Sequence, residues 1–184
     1  SYTDFTQELE SSSMENGEIT LNVKVTNTGD IAGKDVVEVY YNPPYTNGGI
    51  EKSTANLIGY EKTNELKPGE SQTVTISFTA EDMASYDYLE NGCYVLEAGD
   101  YEISINSDSH NVIDSVTYTV DEDIVYDEAN PRSTDLTAAV NQFGYVDGHL
   151  TYLSRKDGFK NYDETTAAPA SLSMPEDLKE GFIV

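Results

Sequence analysis

The stretch EITLNVKVTNTGD does most to limit what this chain can become. Ile19, Leu21, Val23 and Val25 alternate with Thr20, Asn22, Lys24 and Thr26. Successive side chains of an extended backbone point to opposite faces, so a period of two over this length makes a strand with one buried and one wetted face. Asn27 to Asp30 supply turn residues after it. The same period returns in QTVTISF, where Val74, Ile76 and Phe78 alternate with Thr73, Thr75 and Ser77.

Other segments extend the pattern. In KDVVEVYY, Val37, Val39 and Tyr41 share one face and Val36, Glu38 and Tyr40 the other, as expected of a central strand or of one covered by a neighbour. ANLIGYEKT reads as an edge strand or a crossing. ELKPGES reads as a tight turn at Pro68 and Gly69. Thr79 and Asp82 have the spacing of a cap ahead of a single helical turn. GCYVLEAGDYEISIN reads as a hairpin cornered at Gly99 and Asp100, with Tyr101, Ile103 and Ile105 on one face. DSVTYTV closes the set. About seven short strands with turns between them and almost no helix call for an all-β, antiparallel two-sheet sandwich of roughly 100 residues. A closed barrel is the competing architecture, but the strand spacing is uneven and one connection is long.

The composition shifts near Asp121. DEDIVYDEANPRS is acidic and turn-rich. Beyond it, STDLTAAVNQFG places Leu136, Val140 and Phe143 at helical spacing, which predicts one short helix ending near Gly144. GHLTYLSRKDGFKNY reads as room for a short strand, and DETTAAPASLS as a linker. SMPEDLKEG has Ser173 and Glu176 at capping-box distance and a stop at Gly181. We therefore divide the chain into a sandwich over 1–122 and an irregular extension with short helices over 123–184, wrapping the sandwich and leading to a further domain. Both ends read as cuts through a longer polypeptide.

With 34 acids against 10 bases, the net charge of −24 repels phosphate backbones and anionic lipid. Nucleic acid and membrane surfaces are thus poor partners, whereas a neutral sugar or another protein is not. At 38% hydrophobic the chain can still bury a core. Cys93, the one cysteine, cannot close an internal disulfide. Either a reducing compartment or a bacterial exterior accommodates that.

Few residues point to chemistry. His110 and His149 sit in turn-like contexts, and Cys93 in a strand reads as a buried, inert thiol. Asp121, Glu122, Asp123, Asp127 and Glu128 are oxygen donors, but Ile124 and Val125 interrupt them, and no metal or other cofactor is expected. No pair of carboxylates stands out for glycoside hydrolysis, and NGGIEKS lacks the spacing of a phosphate-binding loop. Tyrosine is abundant, at 14 residues, with no tryptophan. It offers a flat apolar face and a hydroxyl, both suited to sugars. The long connection YYNPPYTNGGIEKS carries three of them. Tyr40 and Tyr41 fit equally well as a strand end, one on each face, which leaves Tyr45 as the loop-borne ring. The candidate contact residues are Asn42, Tyr45, Asn47, Gly48 and Gly49.

Four phrases, in order, resemble one known module. SYTDF resembles the opening of the fibronectin type III-like domain found in glycoside hydrolase family 3 enzymes. VKVTNTGDIAGKDVVEVYY resembles its first hairpin, LIGYEKTNELKPGESQTVTISFTAEDMASYD its middle, and LEAGDYEISINSDS its last hairpin. The resemblance covers about 120 residues and implies an immunoglobulin/fibronectin III-like sandwich. NQFGYVDGHLTYLSR resembles the segment after the sandwich in members with rearranged domain order, where a catalytic barrel follows. The implied parent is a retaining β-glucosidase-type hydrolase whose catalytic residues lie in other domains, so no catalytic residue is expected here. The implied role is accessory: packing against the catalytic domains of the same polypeptide and holding them in register. The loop from Asn42 to Ala55 departs from the family's usual one, being longer and richer in tyrosine and glycine. It is expected to reach towards the catalytic domains, with oligosaccharide as a further occupant, and to be mobile when those domains are absent. The rival reading is an autonomous carbohydrate-binding module; a cell-surface adhesion domain is a second. An apolar patch at Phe143, Tyr145 and Tyr152 is expected where neighbours pack.

Overall fold

The computed structural model describes residues 2–146, 148–168, 173–174 and 176–179. Ten strands dominate it: β1 (Phe5–Glu15), β2 (Glu18–Asn27), β3 (Val36–Asn42), β4 (Asn56–Lys62), β5 (Ser71–Thr79), β6 (Ser85–Asp87), β7 (Cys93–Leu96), β8 (Gly99–Asp108), β9 (Asn111–Val120) and β10 (Ile124–Tyr126). Two short helices, α1 (Tyr162–Thr166) and α2 (Glu176–Lys179), lie in the extension. All strand pairs are antiparallel and form three sheets, β1-β2-β5, β4-β3-β8-β9 and the small β10-β7-β6.

The alternation that predicts β2 also builds the core. Ile19, Leu21, Val23 and Val25 of β2 and Val74, Ile76 and Phe78 of β5 meet Val37 and Val39 of β3 and Tyr101, Ile103 and Ile105 of β8 in one cluster. Leu96 and Tyr126 join it from the small sheet. The chain is therefore an all-β sandwich of the immunoglobulin/fibronectin III kind. β3 lies between β4 and β8 as a central strand, with Val37 and Val39 buried and Val36, Glu38 and Tyr40 half-buried on the other face, and β4 is an edge strand. Gly69 adopts φ of 79° in the predicted turn. The Thr79–Asp82 capping box starts a 3-10 turn over Ala80–Met83.

Several expectations are corrected. GCYVLEAGDYEISIN is not a hairpin: β7 and β8 belong to different sheets. Gly99, at φ of 134°, redirects the chain between layers, and the Tyr101 hydroxyl donates to Glu97 O at 3.0 Å across the corner. β8 instead turns back into β9 at Asp108–Asn111, where Asp108 accepts from the His110 and Asn111 backbone N–H groups. β1 went unread. Its polar ESSS run hides the pattern, although Phe5, Leu9 and Met14 pack on the core. Asn16 and Gly17, both at positive φ, form the two-residue turn that joins β1 to β2.

The extension differs more. No helix forms around Leu136, Val140 and Phe143; a single 3-10 turn follows at Gly144–Val146. A short isolated helix is marginal in water, and these three side chains are exposed rather than packed on the core. The predicted strand in 148–162 is absent among the described residues, which run as turns there. α1 occupies the first part of the supposed linker. In the terminal helix only α2 can be placed; Pro175 and Gly181 fall outside the described residues.

Candidate functional site

The connection from β3 to β4 is the natural place to look, because it is long and lies at one end of the sandwich. Tyr40 and Tyr41 belong to β3. Tyr41 packs against the core, and the Tyr40 hydroxyl donates to Glu38 at 2.9 Å on the opposite face. Beyond them Pro43 and Ile50 are buried, so the loop is rooted at both ends by apolar contacts.

Lys52 is the unexpected anchor. Its side chain is 1% exposed in a strongly acidic protein. Its ammonium group pairs with Glu97, on the β7–β8 corner, and donates to Pro44 O at 2.7 Å. A buried ammonium requires such partners. One cation thus ties the loop to itself and to the sandwich.

The loop's outer side is covered by the extension. The Arg155 guanidinium lies 4.0 Å above the Tyr45 ring and donates to Lys52 O at 3.2 Å. Glu51 accepts from the Arg155 backbone N–H at 2.9 Å and from the Ser154 hydroxyl. Asn47 and Asp157 exchange two hydrogen bonds of 2.8 Å each: Asn47 Nδ2 to Asp157 Oδ1, and the Asp157 N–H to Asn47 Oδ1. Gly48 and Gly49 form the tip. The Gly49 N–H closes it on Thr46 O at 2.9 Å, and a side chain added at Gly48 would meet the Lys156 stem at 3.5 Å. Of the candidate residues, Tyr45, Asn47 and Gly48 are thus brought together against residues 155–157. Asn42 is exposed at the end of β3 and, among the described residues, is not bonded to the extension. The chain's own extension thus contacts the loop at Tyr45, Asn47 and Gly48. The Tyr45 hydroxyl is buried with no hydrogen-bond partner among the described residues.

Sequence reading missed Lys52, Glu51, Glu97 and Arg155. The usable signal is scarcity: in a chain with 10 bases, a lysine inside an apolar-rooted loop is conspicuous.

A second tie lies at the start of the extension. Arg132 lies 3.7 Å above the Tyr94 ring of β7 and grips Asp135 through two hydrogen bonds, at 2.8 and 3.1 Å. Those bonds hold the Asp135 carboxyl below its ordinary pKa. Glu81 accepts from the Ser133 N–H at 3.0 and 3.1 Å and from its hydroxyl. A groove of about 870 Å³ opens beside this tie, edged by Glu18, Glu81, Asp121, Glu122, Tyr118 and Tyr126. Cys93 is buried, and that burial pushes its thiol above the ordinary value. His110 lies in the β8–β9 turn and His149 in a turn of the extension. Among the described residues no three His, Cys, Asp or Glu side chains are grouped to hold a metal ion, and no helix is long and apolar enough to cross a membrane.

A two-layer antiparallel sandwich is the architecture of a fibronectin-type module. Residues 35–109 match the family described as fibronectin type III-like domain. The chain is 39% identical over 180 residues to β-glucosidase A of Butyrivibrio fibrisolvens, a match covering 90% of this chain and 21% of that protein. It is 37% identical over 143 residues to a β-glucosidase of Ruminococcus albus, covering 74% of this chain and 15% of that protein. Among solved structures it resembles β-glucosidase 3B of Thermotoga neapolitana, with a TM-score of 0.61 at 32% identity, over 68% of this chain and 17% of that one. Residues 35–109 thus carry a fibronectin type III-like domain, and the relatives that the chain matches are β-glucosidases. The chain spans 15–21% of the length of these two curated relatives.

Proposed function

We propose that this chain is a non-catalytic accessory domain of a family 3 β-glycosidase, one that packs against the catalytic domains of the same polypeptide and orients them. Retaining hydrolysis of β-linked sugars is the activity proposed for the whole protein. The supporting observation is the reach of the Butyrivibrio match: it takes in 90% of this chain, more than the sandwich alone, inside a β-glucosidase about five times longer. We assign the sandwich to 1–122 and the wrapping extension to 123–184, whose first residues supply β10 to the small sheet. The rearranged order, with a catalytic barrel after the extension, is our expectation for the parent.

The loop at Asn42, Tyr45, Asn47, Gly48 and Gly49 serves as a contact for that neighbour or for the rim of its sugar site. The clasp favours the protein role over direct sugar stacking, because Arg155 already covers one face of Tyr45.

An aryl β-glucoside assay tests the proposal. The full-length gene product should release the aryl alcohol, and the chain alone should not. Turnover by the chain alone would contradict the accessory role. Saturable binding of cello-oligosaccharides or xylo-oligosaccharides by the chain alone, in calorimetric titration, would favour the carbohydrate-binding module instead.

A further inference from the structure

Residues 136–146 and 148–153 belong to a strap held at each end and apolar in between. The first tie is Arg132, itself held by Asp135, on Tyr94 and Ser133 on Glu81; the second is Ser154, Arg155 and Asp157 on the β3–β4 loop. Between them the sequence LTAAVNQFGYVDGHLTYL contains one acid, Asp147, and no lysine or arginine, in a chain that is 24% charged. Its large side chains stand in solvent: Phe143 is 64% and Tyr152 55% exposed, and Leu136, Val140 and Tyr145 are exposed as well. The Phe143 and Tyr145 rings lie tilted by 51° to each other, centroids 6.3 Å apart.

Exposed apolar side chains are ordinary when scattered. Three features separate this strap from that background. Depletion of charge with retention of aromatics is the composition of an interface centre. Polar ties at both ends fix the strap to the sandwich, so that ordering it for a partner costs less entropy than ordering a free linker. The match that takes in 90% of the chain also lies inside a protein with nearly four-fifths of its length outside this domain.

We propose that the strap is the docking element of this domain, and that its occupant is an uncharged, apolar surface on the catalytic portion of the same polypeptide. This rests on the accessory-domain reading and names the face it uses. The sandwich supplies the rigid base, the two ties set the strap's position, and Leu136, Phe143 and Tyr152 supply the contact. A charged partner surface would waste the segment, whereas an apolar one would bury several aromatic and aliphatic side chains together.

Hydrogen exchange on the full-length gene product and on the chain alone tests this. Strap amides should exchange at least about tenfold more slowly in the full-length protein, and Phe143→Asp with Tyr152→Asp should abolish that difference. The control Tyr60→Asp, on the exposed β4 edge, should leave it intact. Slowing confined to β4 or another face of the sandwich would overturn the strap and leave the accessory reading standing. No slowing anywhere in the chain would overturn both. Sedimentation of the chain alone as a dimer that Phe143→Asp returns to monomer would overturn the choice of occupant.

Discussion

Ile19, Val23, Val37 and Ile103 have no exposed surface, whereas Leu136, Phe143 and Tyr152 stand in water, although all seven are large apolar side chains. The first group is placed by strand pairing: each side chain is set by a period of two and meets an equally regular partner layer. The second group lies on a segment held by a few side-chain ties, with no regular face opposite. In the sandwich, burial makes the structure. In the extension, hydrogen bonds and two stacked guanidinium groups hold a backbone whose apolar groups stay uncovered. A domain can thus be finished on one side and incomplete on the other.

The largest contrast should appear in the core. Ile103→Ala should cost about 2–5 kcal/mol in urea denaturation, while Leu136→Ala in the chain alone should stay within about 0.5 kcal/mol. Equal costs would erase the distinction. Lys52→Met comes next, at about 2 kcal/mol. That is less than the roughly 3–5 kcal/mol of a fully buried pair, because the Glu97 side chain remains 28% exposed. Adding Glu97→Gln should recover part of the loss, since the stranded carboxylate is then gone. Arg155→Ala should cost only about 1 kcal/mol, yet hydrogen exchange at 45–52 should quicken, because Arg155 is the cover of the loop.

The smallest effect concerns acid. Burial raises the Asp87 pKa, but hydrogen bonds from the Asn91 side chain and from the backbone of Asn91, Leu89 and Glu90 outweigh it, and the carboxyl lies below its ordinary value of 3.8. A depressed carboxyl stabilises the fold above the unfolded value and loses that contribution as pH falls through the folded one. Asp87→Asn should therefore flatten the stability–pH curve below about pH 4 and change its shape little near neutrality. Unchanged acid sensitivity would remove Asp87 from the account.

The sandwich was legible because alternation is local: Ile19 to Val25 and Val74 to Phe78 state their own geometry. β1 was not, since Ser11, Ser12 and Ser13 lie where its pattern would show, although the Asn16-Gly17 turn could have revealed it. The β7–β8 corner misled because Gly99 and Asp100 suit a hairpin equally well, and only tertiary packing sends β7 to another sheet. At the loop, sequence picked out Tyr45 and Asn47 but not Arg155, which lies 110 residues away from Tyr45 along the chain, a separation that local pattern cannot bridge. The strap carried helical spacing without a partner for the helix, so propensity pointed one way and solvent exposure the other.

Calorimetry of the full-length gene product tests the brace most directly. The account predicts one cooperative transition in which this domain melts together with the catalytic portion, at a temperature above that of the chain alone. A separate transition at the melting temperature of the isolated chain would contradict it.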